Sequence, residues 1–118
     1  MKREKSPEAI EWEKVEQFFI KNFTDGERPE LDTILFLIGV QELGQGKRKF
    51  VKDDKLNLMH IAVCRLLEPL GYYRYKGVDS EGWPQFELTE KIPDLKANEQ
   101  SLLIRRAIIK YFKTKELI

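Results

Sequence analysis

His60 and Cys64 are the only histidine and the only cysteine in the chain, and they stand four residues apart. On a helix that spacing puts both side chains on one face, one turn apart. An imidazole beside a thiol suits two kinds of chemistry: a pair of metal ligands, or a nucleophile with its base. A zinc site needs two more ligands, with Glu42 as one choice, and no spacing in the chain specifies the fourth. Thiol catalysis needs an oxyanion-stabilising arrangement as well. The competing role is packing. His60 borders an apolar stripe and fits a hydrogen-bonded residue at the edge of a core, while Cys64 fits a small buried hydrophobe. Packing is the favoured expectation for both. If there is a polar pocket, Gln41, Glu42, His60 and Cys64 are its candidate members, between the second and third helices.

Other signatures of catalysis are missing from the chain. It has no HExxH pair, no glycine-rich phosphate loop ending in Lys-Ser or Lys-Thr, and no GxSxG elbow. The glycines of GVQELGQGKRKF follow an apolar helix rather than a strand, so they lack the setting of a phosphate loop. No catalytic residue, resident metal or cofactor is expected, and the chain is not read as an enzyme.

The elements that must position these residues are legible from periodicity. Ser6-Pro7 suits an N-cap followed by the first helical position. Trp12, Val15, Phe19 and Phe23 then share one face, which predicts a helix over 7–23. A second helix starts near Pro29 or Glu30, runs through LDTILFLIGVQEL and stops at Gly44. It is apolar almost all round, as a buried helix is. Gly39 within it marks a close approach by a neighbour, and Glu42 lies at its exposed end or is paired inside.

A third helix is expected from about Asp53 to Pro69, with Asp53-Asp54 as cap or first-turn acids and Leu56, His60, Val63, Leu67 and Leu70 as its stripe. GYYRYKGVDSEGWPQFELT then alternates as a hairpin. A loop over Asp79–Gly82 sets Tyr75 opposite Phe86 and Tyr73 opposite Leu88, facing a core. The same register sets Arg74 opposite Glu87 and Lys76 opposite Gln85, facing water, with Trp83 paired to Val78 near the tip. Asn98 is the expected N-cap of a last helix through Phe112. The fold class is therefore α+β, mainly helical, in the order helix-helix-helix-hairpin-helix. One domain over 1–118 is expected, with residues 1–5 and 114–118 fraying.

The phrase CRLLEPLGYYRYKG…GWPQFELTEK resembles the part of winged-helix regulators where a recognition helix ends and a wing begins. The resemblance covers about a quarter of the chain and implies a winged-helix-like architecture. It also implies nucleic-acid contact, with Lys47, Arg48, Lys49, Lys52, Arg74 and Lys76 as the phosphate-contacting candidates. Electrostatics opposes that activity. The 118 residues carry 21 Lys or Arg against 20 Asp or Glu, a net charge of +1, which gives no long-range pull toward a phosphate backbone. Asp53 and Asp54 open the third helix, and Asp79 and Glu81 occupy the wing tip.

One cysteine cannot form an intrachain disulfide, so a reducing compartment, the cytoplasm, is expected. The opening residues carry no apolar stretch fit for a secretory signal, and no apolar run is long enough to span a membrane. Two helices apolar on most sides need more cover than a short chain supplies. The leading expectation is action by protein–protein contact or self-association as a homodimer, with Leu58, Ile61 or Ile109 as contacts. Nucleic-acid binding comes second, and a small enzyme or metal-binding protein using His60 and Cys64 comes third.

Overall fold

The computed structural model describes residues 6–44, 50–89 and 94–118. Its elements run α1 (Pro7–Asn22), α2 (Leu31–Leu43), α3 (Lys52–Leu67), a short 3-10 turn (Glu68–Leu70), β1 (Tyr73–Val78), β2 (Pro84–Leu88) and α4 (Ala97–Thr114). This is the expected order: mainly helical, with one antiparallel two-stranded sheet. A hairpin directly after the third helix makes the arrangement winged-helix-like. The chain forms two compact units, residues 1–29 with 95–118, and residues 30–94.

In the first unit the two ends of the chain meet. Ser6 caps α1 by accepting the N–H of Ala9 at 3.1 Å, and Pro7 fills the first turn. Val15 and Phe19 are buried as expected, whereas Phe23, the last member of the predicted stripe, is exposed just beyond the helix. Phe18 and Phe19 both meet the ring of Phe112 on α4, with centroids 5.2 and 5.5 Å away. Arg106 pairs with Glu8 and Lys113 with Glu11, and Arg105 lies over the Trp12 ring. Helix α4 begins before the expected Asn98 cap. Glu99 accepts the N–H of Lys96, and Gln100 donates to the carbonyl of Leu95, so these two side chains close the first turn with the cap at Lys96, two residues ahead of Asn98.

The second unit holds α2, α3 and the hairpin. Helix α2 buries Ile34, Leu35, Ile38, Gly39 and Leu43, and ends at Gly44 with φ +73, the left-handed conformation glycine adopts without strain. Gly39 lies against the backbone of Leu58, so close that a Cβ there would sit 2.1 Å from the Leu58 carbonyl oxygen. This is the close approach its sequence position suggested, and it decides which way α3 faces. Leu58, Ile61, Ala62 and Leu66, spaced three and four apart, are buried, whereas Leu56 of the predicted stripe is 69% exposed. Leu58 and Ile61 are therefore core residues, as is Ile109 of α4, and none of the three is the exposed contact that the sequence suggested. Asp53 and Asp54 are first-turn acids, and Asp54 accepts the N–H of Val51.

The hairpin keeps the predicted register at its base: Tyr73 faces Leu88, Arg74 faces Glu87 and Tyr75 faces Phe86. Nearer the tip the register slips. Gln85 faces Gly77 instead of Lys76, and Val78 faces Pro84 instead of Trp83. Gly77, at φ +99, supplies the left-handed backbone that absorbs the extra residue as a β-bulge. Trp83 packs with Leu43, Leu58 and Ile61, and is flanked by Phe36, Val40, Phe50 and Phe86. The apolar face of the hairpin is only partly covered. Tyr73 and Phe86 are half-buried, but Tyr75 and Leu88 remain 41% and 54% exposed.

Candidate functional site

Helix α3 and the hairpin bring the single histidine and the single cysteine together. Cys64 Sγ lies 3.4 Å from Nε2 of His60, one turn earlier. Gly71, at φ +87, turns the chain out of the 3-10 segment so that β1 starts beside α3. The base of the hairpin is closed by Thr89, whose N–H donates to Tyr72 O at 2.9 Å and whose hydroxyl donates to Gly71 O at 2.6 Å. Tyr73 is thereby placed edge-on to the His60 ring, with centroids 6.3 Å apart at 87°, and its hydroxyl is hydrogen-bonded to Cys64.

Burial pushes the Cys64 thiol up to about 11, with the Tyr73 hydrogen bond opposing it only in part. The Tyr73 phenol is also raised, by burial first and by Cys64 second. A thiol with that pKa is thiolate in only about one molecule in ten thousand at pH 7, which leaves Cys64 a poor nucleophile at neutral pH. The native protein is expected to react with a thiol reagent near pH 8 orders of magnitude more slowly than the chain unfolded in denaturant. The linkage sign follows. A folded-state pKa above the unfolded value gives stability that is intact below about pH 9 and falls as pH rises toward about 11. Cys64→Ala should flatten part of that alkaline loss in pH-dependent urea melts, and Tyr73 keeps the rest. An unchanged slope would show that Cys64 titrates normally in the fold.

A cavity of about 360 Å³ opens beside this cluster. Asp54, Asn57, His60 and Cys64 line it from α3, and Asp79, Glu81 and Gln85 from the hairpin tip; no lysine or arginine lines it among the described residues. Asp79 already has internal work. Its Oδ1 accepts the N–H groups of Glu81 and Trp83, each at 2.9 Å, and its Oδ2 accepts the Gln85 amide at 3.3 Å. This side chain shapes the loop and delivers Trp83 to the core, a role the sequence signals only through an Asp-Ser-Glu-Gly turn. Among the described residues no three His, Cys, Asp or Glu side chains form a group able to hold a metal ion.

Gln41 and Glu42 do not line this cavity. Gln41 is exposed on α2. Glu42 reaches Arg65 of α3 at 2.5 Å, with its side chain only 12% exposed, and Arg65 also holds Glu68 at 2.9 Å. The Arg65 guanidinium lies over the rings of Tyr75 and Phe86, 4.9 and 5.0 Å from their centroids. Burial alone would weaken its charge, but Glu42 and then Glu68 outweigh that and raise its pKa above the ordinary arginine value. One side chain thus ties α2, α3 and both strands together. In the sequence, the three-residue step from Arg65 to Glu68 is a signal of the local pair, whereas nothing local points to Glu42.

The residues proposed for nucleic-acid contact are scattered in role. Lys47, Arg48 and Lys49 lie outside the described residues. Lys52 is exposed at the first turn of α3. Arg74 and Lys76 both engage Glu87, at 2.9 and 3.2 Å. The hydrogen bonds from Arg74 and Lys76 hold the Glu87 carboxyl below the usual carboxylate range. No helix among the described residues is long and apolar enough to cross a membrane. No protein-family model matches the chain, and no curated protein or solved structure matches it either.

Proposed function

We propose that the chain acts by protein–protein contact through the apolar face of its hairpin. One observation carries this reading. Tyr75 and Leu88 point to the same side as Tyr73 and Phe86, yet stay 41% and 54% exposed. Apolar side chains left exposed beside a packed face have the make-up of the apolar centre of a contact surface, whereas Arg74 and Glu87 lie on the opposite face of the hairpin. Arg65 supports the reading by stacking beneath Tyr75 and Phe86, so the face is presented on a fixed base. The nucleic-acid alternative is weaker, because Asp53, Asp54, Asp79 and Glu81 set negative charge at the helix start and the hairpin tip, and Glu87 neutralises the wing cations.

A photo-crosslinking residue at position 88 tests the proposal in cells expressing the full chain, with the same residue at Arg74 on the outward face as control. Discrete protein adducts are expected from position 88 and few from position 74. No adduct from 88, or equal labelling from both, would overturn the reading.

A further inference from the structure

We draw no further inference here: the strongest candidate, the cavity between α3 and the hairpin tip lined by Asp54, Asp79 and Glu81 beside His60 and Cys64, carries none because nothing in the structure shows what ligand those carboxylates would hold.

Discussion

Gly39→Ala is expected to destabilise the fold by about 3 kcal/mol, the upper end of the usual cost of overpacking. An added Cβ would stand 2.1 Å from the Leu58 carbonyl oxygen and 2.6 Å from its carbonyl carbon. These are backbone atoms of a helix, so no rotamer change can relieve the contact. The two helices must separate, and separation opens the layer formed by Leu43, Leu58, Ile61 and Trp83. Alanine would otherwise be favoured, since it improves helix propensity over glycine by roughly 1 kcal/mol. The sign of the effect therefore distinguishes contact from propensity. Urea denaturation followed by tryptophan fluorescence, with Trp12→Phe to isolate Trp83, measures it. A stabilised or unchanged Gly39→Ala protein would mean that α2 and α3 do not approach as described.

Arg65→Met is the second large effect, with an expected loss of about 3 kcal/mol. Methionine keeps much of the aliphatic bulk, but it leaves the carboxylates of Glu42 and Glu68 without the guanidinium that joins them. It also removes the stack over Tyr75 and Phe86, where each cation–ring contact contributes about 0.5–1 kcal/mol. Most of the damage should come from the loss of the guanidinium beside the mostly buried Glu42 carboxylate. Adding Glu42→Gln to Arg65→Met is accordingly expected to recover a good part of the loss, while Glu42→Gln alone costs about 1 kcal/mol. A double-mutant cycle from chemical denaturation gives the coupling. Strict additivity of the two changes would show that Glu42 and Arg65 do not act as a pair. Because Arg65 sits under the hairpin, Arg65→Met should also loosen Tyr75 and Phe86, and hence weaken whatever docks on that face.

How much of this was legible in the chain varies with the range of the interaction that decides it. The cap at Ser6-Pro7, the stop at Gly44, the acids opening α3 and the hairpin register at Tyr73, Arg74 and Tyr75 are set within a few residues, and they stand as the sequence implied. Gly39 is an intermediate case. Its type announced a close approach, but not that the neighbour was the backbone of Leu58. The stripe of α3 was legible in part: Leu67 is buried as the spacing implied and Leu56 is not, while Leu58, Ile61 and Leu66 are buried on other sides of the helix. Which members of each set are covered depends on the surfaces offered by α2 and the hairpin.

The candidate site divides in the same way. The meeting of His60 with Cys64 follows from a four-residue step on a helix, so the sequence contained it. That the thiol is held protonated depends on burial and on Tyr73, which arrives from a strand nine residues later. Glu42 was expected near His60, but long-range pairing with Arg65 takes it elsewhere. The bulge at Lys76 came from the left-handed backbone of Gly77, which pattern alone does not locate. By itself, then, the sequence determined the elements, their order and their local caps, because those depend on neighbours a turn or a strand pair away. Only the tertiary structure decided which helix face is buried, which carboxylate meets Arg65 and which hairpin side chains stay in water, because each is a competition between surfaces distant in the chain.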